Sequence, residues 1–535
     1  MIQIHTISFS YPDSAVTLFE DFSAVIGTTG GTGTGSWTCI AGANGCGKTT
    51  LLHLIAGTYI PSAGSISSGP AVYCAQNCSE LPEKAYTSFW DADNDVRRFF
   101  SIMGIREEQF DRWETLSGGE KKRIQIACAL TEQPPVLLLD EPTNHLDAAS
   151  KRQILNALSL YTGTGVIVSH DRAFSDELCT STLYLFRPAV SFSGGADGVQ
   201  GKTYAGGLGR ALSLRDEESA AARAEWQKGD NSAAKAESLS DKWKREAEHA
   251  ANRLRKSIAV KKGDHDAASR IDAARISGKD RVAGDTGKRF STRFEQAAVK
   301  RDSIAKPLSR KEGFSIDVPE TDSYVPEILL TLEAQTLSPG GGTAGNTYSL
   351  EMPKLLIRRK SRIALTGENG TGKTMLVHKI TDILSGRPYF YLPQEVSEAE
   401  TIHVIERFES LEDTPRGQVL STVYRMGSEP DLLLSGQHAG RNQISPGELR
   451  KLMIAMAVCG CSENSQTNIP LQLLILDEPT NHMDISSTQS LESALHAVEC
   501  ALLVISHDEV FLENTGCNEK WHITRSGNKG TLKLL

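Results

Sequence analysis

Long apolar runs and paired metal-binding cysteines are both missing from this 535-residue sequence. No stretch reaches the 18 or more apolar residues that indicate a membrane-spanning helix. The first residues, MIQIHTISFSYPD, lack the basic and then apolar pattern of a signal peptide. The ten cysteines include no C-x-x-C pair, so zinc or iron–sulfur sites are not indicated. We therefore expect a cytoplasmic protein with reduced thiols and no membrane span.

An overall excess of positive charge is also missing, because the formal net charge is −9. Residues 241–310 differ from the rest, with 19 Lys/Arg against 10 Asp/Glu and hence a net charge of +9. Apolar residues recur there at helical spacing, at Leu239, Trp243, Ala247, Ala250, Leu254 and Ile258, and again at Phe290, Phe294, Ala297 and Ile304. The pattern predicts two helices in a hairpin with an irregular basic tip, each arm of roughly 30 residues reaching about 45 Å. A solvated tether without nucleic-acid contacts is the alternative interpretation of this segment.

What the sequence does contain is an internal repeat of four motifs in the same order. The pairs are GANGCGKTT (42–50) and GENGTGKTM (367–375), LSGGEKKR (116–123) and ISPGELRK (444–451), LLLDEPTNHLD (137–147) and LILDEPTNHMD (474–484), and VIVSHD (166–171) and LVISHD (503–508). The repeat predicts domains at 1–195 and 326–535, with the charged helical linker at 196–325. Within each repeat, apolar strands alternate with helix-length segments, which predicts an α/β fold with a mostly parallel sheet.

The first motif of each pair fits G-x-x-x-x-G-K-[ST], in which backbone N–H groups wrap phosphates at a helix N-terminus and the lysine bridges β- and γ-oxygens. The predicted phosphate-binding residues are Gly42, Asn44, Gly45, Gly47, Lys48, Thr49 and Thr50 in the first copy and Gly367, Asn369, Gly370, Gly372, Lys373 and Thr374 in the second.

Further side chains are placed for metal binding and water activation. The predicted Mg²⁺ ligands from these motifs are Thr49, Asp140, Thr374 and Asp477, the aspartates acting through water. Each aspartate is followed by a glutamate that can polarise the attacking water, and a later strand ends in a histidine within reach of the γ-phosphate. These catalytic candidates are Glu141, Glu478, His170 and His507.

Together these motifs resemble the tandem form of the ATP-binding cassette (ABC) ATPases, over about three quarters of the chain. The resemblance adds Q-loop glutamines near Mg²⁺, at Gln76 and Gln394, and an adenine-stacking aromatic at Tyr11. It also assigns the signature residues Ser117, Gly118, Gly119, Glu120, Ser445, Gly447 and Glu448. It implies ATP and Mg²⁺ as cofactors and a head-to-tail pair of domains, in which each site joins one phosphate loop to the opposite signature.

Two departures from that family pattern predict unequal sites. The segment LEAQTLSP of the second copy has no aromatic where the first has Tyr11. Pro446 replaces a signature glycine and removes one N–H that a phosphate could use. That signature would face the nucleotide at Lys48, whereas the site at Lys373 would face the intact LSGGE.

Within the ABC ATPases, DEPTNH in both copies and a charged helical linker resemble the ABC-F family of translation factors and ribosome-protection proteins. This resemblance implies the ribosome and tRNA as partners, reached by the basic linker residues Lys242, Lys244, Arg245, Arg253, Arg255, Lys256, Lys261 and Lys262 and a tip near 270–289. It also implies a monomer with an intramolecular domain dimer. The alternatives are an ATPase subunit serving separate transporter membrane proteins and a DNA-linked cassette ATPase.

Overall fold

The computed structural model describes residues 1–12, 17–27, 35–78, 80–90, 94–144, 146–187, 198–258, 289–296, 298–299, 326–338, 348–384, 387–426, 428, 444–461, 471–481, 483–498 and 500–535. The chain divides into two compact units. One unit comprises Met1–Ala211 and Lys311–Leu535, and the other comprises Leu212–Arg310. Below, residues 1–211 are called the first half and residues 326–535 the second half.

The first half carries the strands β1 (Ile2–Ser10), β2 (Thr17–Ile26), β3 (Ser36–Gly42), β4 (Ala63–Ser67), β5 (Ala71–Cys74), β6 (Val136–Asp140), β7 (Thr164–Val168), β8 (Ser181–Phe186) and β9 (Gln200–Ala205). Its helices are α1 (Lys48–Ile55), α2 (Ala85–Trp90), α3 (Asn94–Ile102), α4 (Glu108–Asp111), α5 (Gly118–Thr131), α6 (Ala148–Leu158) and α7 (Arg172–Leu178), with a 3₁₀ turn at Trp113–Thr115. Helix α8 (Leu208–Ile258) follows and continues into the other unit.

The second half carries the strands β10 (Ile328–Leu332), β11 (Gln335–Leu337), β12 (Ser349–Met352), β13 (Leu355–Arg358), β14 (Arg362–Gly367), β15 (Tyr389–Leu392), β16 (Leu473–Asp477), β17 (Ala501–Ile505), β18 (Glu519–Ser526) and β19 (Lys529–Leu534). Its helices are α9 (Lys373–Ile383), α10 (Glu398–Glu409), α11 (Asp413–Arg425), α12 (Pro446–Val458), α13 (Ile485–His496) and α14 (Glu509–Asn514).

The two halves repeat one sheet topology. The order β5-β6-β7-β3-β8-β9 in the first half returns as β15-β16-β17-β14-β18-β19 in the second. The first five strands of each series pair in parallel, and the sixth pairs antiparallel to the fifth. The predicted α/β fold, with two domains in tandem and a mostly parallel sheet in each, is therefore confirmed.

The carboxylate strands form because their sequences favour a short buried strand. The run VLLLD of β6 is buried at every position, as is LLILD of β16. Prolines bound the first run on both sides, at Pro135 and Pro142, and proline cannot donate to a sheet ladder. Since parallel strands end at one sheet edge, the loops after β3, β6 and β7 meet there, as do those after β14, β16 and β17.

Two features of the linker region differ from the sequence-based expectation. Strand β9 pairs with β8, so the sheet of the first half extends beyond the predicted domain boundary at residue 195. Only Tyr204 of β9 is buried, so this edge strand has a weak apolar signal. Helix α8 has 51 residues, about 76 Å at 1.5 Å per residue, and is longer than the predicted arm.

The remainder of the predicted hairpin stays a prediction. Lys242, Lys244 and Arg245 are exposed on α8. Residues 259–288, which include Lys261, Lys262 and most of the predicted tip, lie outside the described residues, as do the side chains of 250–258. Residues 289–296 are helical.

Candidate functional sites

Each phosphate loop leads from a central parallel strand directly into a helix. The N-cap residues are Gly47 before α1 and Gly372 before α9, with φ of 86° and 89°. A side chain there would be strained, and a Cβ on Gly47 would come within 2.9 Å of the Phe19 ring. Because glycine has no capping side chain, the first-turn N–H groups of both helices are left for an anion.

The loop lysines hold their ammonium groups over the loop itself. Lys48 Nζ donates to the carbonyl oxygens of Gly42 at 2.9 Å and Ala43 at 3.1 Å. Lys373 Nζ donates in the same way to Gly367 at 2.6 Å and Glu368 at 3.0 Å. Both cations therefore lie where the helix N-terminus also favours negative charge.

The aspartates that end β6 and β16 lie next to the phosphate loops. Thr49 Oγ1 donates to Asp140 Oδ2 at 2.9 Å, and Tyr73 OH donates to the same oxygen at 3.2 Å. In the second half, burial raises the pKa of Asp477 to about 6 while Lys373 opposes the rise.

Hydroxyl and carboxylate oxygens at this spacing suit a hard divalent cation. Thr374, Gln394 and Asp477 line one cavity of about 880 Å³. Gln76 is exposed, and its backbone carbonyl accepts from Lys122 at 3.4 Å. The oxygen donors of both halves therefore fit Mg²⁺. The exposed Gln76 side chain is the least constrained of these donors.

The two glutamates share an unusual backbone conformation. Glu141 and Glu478 have φ of 44° and 46°, in the left-handed region that residues with a side chain seldom adopt. The N–H of Glu141 donates to Val168 and that of Glu478 donates to Ile505, each at 2.9 Å. This bond ties each glutamate to the strand that carries the histidine, and strain held in place by its surroundings is common at functional positions.

Each glutamate faces its histidine across the strand ends. The distance from Glu141 Oε1 to His170 Nε2 is 3.3 Å, and that from Glu478 Oε1 to His507 Nε2 is 3.7 Å. Burial raises the pKa of Glu141 to about 8 and that of Glu478 to about 7. Burial also lowers the pKa of His170 to about 3 and of His507 to about 4, so both imidazoles are neutral near pH 7.

The signature motifs cap the helices that they begin. Ser117 accepts from the N–H of Glu120 at 3.3 Å, and Glu120 accepts from the N–H of Ser117 at 3.0 Å, a reciprocal capping box. Ser445 caps α12 through the N–H of Glu448, but the Glu448 carboxylate pairs with Lys451 at 2.8 Å. Pro446 lies in the first turn of that helix, where its missing N–H is tolerated.

A buried cation on each signature helix was missed by the sequence analysis. Lys122 Nζ donates to the carbonyl oxygens of Ala75 at 2.6 Å and Asp140 at 3.4 Å. Arg450, at the matching position of the repeat, donates to Glu478 O at 2.8 Å and also to Gln394 O. These side chains join the Q-loop, the signature helix and the carboxylate strand. In the sequence both residues lie among other charged residues, and that pattern does not distinguish a buried cation from an exposed one.

The aspartates that close the repeated DEPTNH motifs were also missed. Asp484 Oδ2 accepts from the N–H of Asn44 at 3.0 Å, and Asp147 Oδ2 accepts from the N–H of Asn369 at 3.5 Å. Each phosphate loop is thus contacted by the opposite half. A third link between the halves is the ion pair of Arg172 with Glu492 at 3.3 Å, which has no counterpart because Glu509 occupies the position that matches Arg172.

A cavity of about 710 Å³ lies between the halves at the second phosphate loop. From the first half it is lined by Thr143, Asn144, Leu146, Lys151, His170 and Asp171. From the second half it is lined by residues that include Asn369, Lys373, Glu478 and His507. None of Ser117–Glu120, all of which the structure describes, lines this cavity.

The aromatic residues differ between the two sites. Tyr11 is partly exposed, and its hydroxyl lies 2.6 Å from Thr50 Oγ1. In the second half, Tyr348 donates its hydroxyl to Thr371 O at 2.6 Å and lines the cavity between the halves. The guanidinium of Arg525 lies 5.0 Å from the Tyr348 ring centroid. The second loop therefore has an aromatic neighbour, although it comes from a later segment than the one compared with Tyr11.

A family model described as ABC transporter matches residues 29–144, which include the first phosphate loop, signature and carboxylate strand. The fold and both sites define the chain as an ATP-binding cassette ATPase, an enzyme that hydrolyses ATP. The tandem fold also occurs in a solved complex of archaeal ribosomal stalk protein aP1 with archaeal ribosome recycling factor aABCE1. That likeness has a TM-score of 0.58 at 17% identity and covers 98% of this chain and 89% of the other.

Curated relatives extend the comparison over nearly the whole sequence. "Ribosome protection protein VmlR" of Bacillus subtilis (strain 168) is 28% identical over 505 residues, covering 91% of this chain and 82% of the relative. "Erythromycin resistance ATP-binding protein MsrA" of Staphylococcus epidermidis is 25% identical over 494 residues, covering 91% of each. Over most of its length the chain is therefore similar to relatives named for ribosome protection and antibiotic resistance, in line with the resemblance to the ABC-F family.

Proposed function

We propose that this ATPase couples ATP binding and hydrolysis to ribosome binding and release, with the basic linker reaching tRNA, and that it serves ribosome protection or translation. The observation that carries the proposal is the likeness, across 91% of the chain, to a relative named for ribosome protection. The net charge of +9 over residues 241–310 supports the linker's role, since lysine and arginine bind phosphate backbones largely without regard to sequence.

The proposed sites follow the repeated geometry. Lys48 and Lys373 stabilise phosphate charge at their loops, and Mg²⁺ held at the residues named next would add further neutralisation of phosphate charge. The proposed Mg²⁺ residues are Thr49, Gln76, Asp140, Thr374, Gln394 and Asp477. Glu141 and Glu478 orient the attacking water, and each is held in place by its N–H bond to the neighbouring strand.

The remaining site residues complete the proposal. His170 and His507 are neutral near pH 7 and can each donate one hydrogen bond to a γ-phosphate oxygen. Tyr11 stacks on adenine, and Ser117 and Ser445 reach the opposite nucleotide when the halves close further. We also propose two ABC domains joined by the charged linker, with strand β9 belonging to the first domain, a cytoplasmic location and a monomer whose own halves form the dimer.

The test is co-sedimentation of the variant Glu141→Gln/Glu478→Gln with purified ribosomes, with and without ATP, across a salt series. We expect ATP-dependent binding that weakens as salt rises and is lost when residues 262–288 are deleted. Absence of binding under every condition would refute the proposal.

The competing functions are tested by measuring phosphate release with ribosomes, DNA or a membrane fraction added. Among the described residues, no helix is long and apolar enough to cross a membrane. Stimulation of phosphate release by DNA, or dependence on a membrane fraction, with no effect of ribosomes, would favour the DNA-linked or transporter-associated alternative.

A further inference from the structure

The second ATP site receives a positive charge from the first half that the first site lacks. Lys151 lies on the first turns of α6, four residues after Asp147. Its ammonium pairs with Asp171 Oδ2 at 2.7 Å, which uses one of its three donors. Lys151 also lines the cavity between the halves together with Lys373 and Glu478. A cation of the first half therefore faces the loop that binds phosphate in the second half.

The charge of Lys151 acts on the same groups as the charge of Lys373. Lys151 and Lys373 line the same cavity, together with Glu478 and His507. Burial lowers the pKa of His507, and the same two lysines lower it further. The two ammonium groups thus approach one region, where the terminal phosphate of a nucleotide on the second loop would place its negative charge.

The repeat provides an internal comparison for this position. The residue that matches Lys151 in the second half is Thr488, 337 positions later. Its hydroxyl donates to Asp484 O at 3.0 Å within its own helix. At the first site, burial lowers the pKa of His170, and the cation whose charge lowers it further is Lys48 of the loop itself. The first site accordingly has the cation of its own loop and no described counterpart of Lys151.

We propose that Lys151 is a phosphate-binding cation that the first half supplies in trans to the ATP site of Lys373. This inference rests on the proposed roles of Lys373 and Glu478. The ammonium keeps its ion pair with Asp171 and donates a second hydrogen bond to a terminal phosphate oxygen. The second site is therefore the faster of the two, independently of the difference between the two signature motifs.

The turnover test uses two backgrounds, each with one working site. In Glu141→Gln the second site carries the turnover, and in Glu478→Gln the first site does. Lys151→Thr, which installs the residue of the matching position, should lower kcat at least about tenfold in the first background, because a positioned donor to developing charge typically contributes about a hundred- to a thousandfold. In the second background the loss should be at most about a third as large. Lys151→Arg should restore most of the lost turnover.

The matched control is the neighbouring cation Arg152. It lies on the same helix and pairs with Glu177 at 2.6 Å on an exposed surface. Arg152→Thr should leave kcat unchanged in both backgrounds. A binding measurement in Lys48→Ala, which disables the first loop, completes the design: Lys151→Thr should weaken ATP binding several-fold and leave ADP binding as it was, because ADP lacks the terminal phosphate.

Each outcome bears on a separate claim. Equal losses of kcat in the two backgrounds would overturn the proposal, because Lys151 would then act through Asp171 and helix α7 beside His170. The proposal would also be overturned if Lys151→Thr left kcat unchanged in the Glu141→Gln background, or if it weakened ATP and ADP binding equally. If neither glutamine variant lowers turnover by itself, the assignment of the two sites fails first and the role of Lys151 fails with it.

Discussion

Replacing Asp484 with alanine should destabilise the protein far more than the matching change at Asp147. Asp484 has two tasks. Its Oδ1 caps helix α13 by accepting from the N–H of Ser487 at 2.8 Å, and its Oδ2 accepts from the N–H of Asn44 in the opposite half at 3.0 Å. Only 8% of its surface is exposed, so alanine leaves the buried N–H of Ser487 without its acceptor and removes the contact with Asn44.

The magnitude follows from two independent arguments. A lost N-cap costs about 1 kcal/mol, and a hydrogen bond to a charged group contributes about 1.5–3 kcal/mol. Burial opposes the charge of Asp484, but hydrogen bonds from Ser487 and Asn44 and the charge of Lys451 lower its pKa from 3.8 to about 2. That shift corresponds to roughly 2 kcal/mol. Because the folded pKa is the lower one, this stabilisation is complete above pH 3.8, is lost as the pH falls through 2, and is fully present at pH 7.

Thermal unfolding at pH 7 is the assay. A loss of 2–3 kcal/mol should lower Tm by about 5–10 °C for a domain of this size. Asp147 is half-buried and its contact with Asn369 is 3.5 Å long, so Asp147→Ala should lose little more than a cap, about 1 kcal/mol. Asp484→Ser keeps a capping oxygen and isolates the contact between the halves. Equal losses of Tm for the two alanine variants would refute this reasoning.

Three further outcomes are expected. Glu478→Gln should slow steady-state phosphate release more than Glu141→Gln. Each change should lower the hydrolysis rate at its own site about a hundredfold. Equal slowing would contradict unequal sites. Lys122→Met should lower the free energy of unfolding by about 1–3 kcal/mol, because its carbonyl acceptors stay buried, whereas Lys84→Met at the exposed pair with Glu132 should cost under about 1 kcal/mol. Arg172→Ala should cost about 3 kcal/mol in thermal unfolding because Glu492 remains buried, and Arg152→Ala should cost far less; equal costs would show that the link between the halves contributes nothing.

The phosphate loops, carboxylates and histidines could be predicted because the residues that define each motif are contiguous in the sequence. A glycine that needs φ near 90°, as at Gly47, and an apolar run that ends in Asp-Glu both carry their physical reason within a few positions. Strand β9 was not predictable, because an edge strand with one buried residue lacks the alternation by which strands are detected.

Residues of one half that contact the other half could not be predicted from the sequence. Asp484, Arg172 and Lys151 each meet partners far away in the chain, and no local pattern marks them. The buried contacts of Lys122 were hidden in the same way, since a lysine in a charged run normally indicates a solvated face.

By itself, the sequence determined the fold class, the duplication and the residues of each loop, because local backbone geometry and hydrophobic pattern require those residue types. Only the tertiary structure decided which residues of one half contact the phosphate loop of the other. A contact such as Asn44 with Asp484 depends on the packing of two domains, and the free energy of that packing comes from surfaces that are remote in sequence.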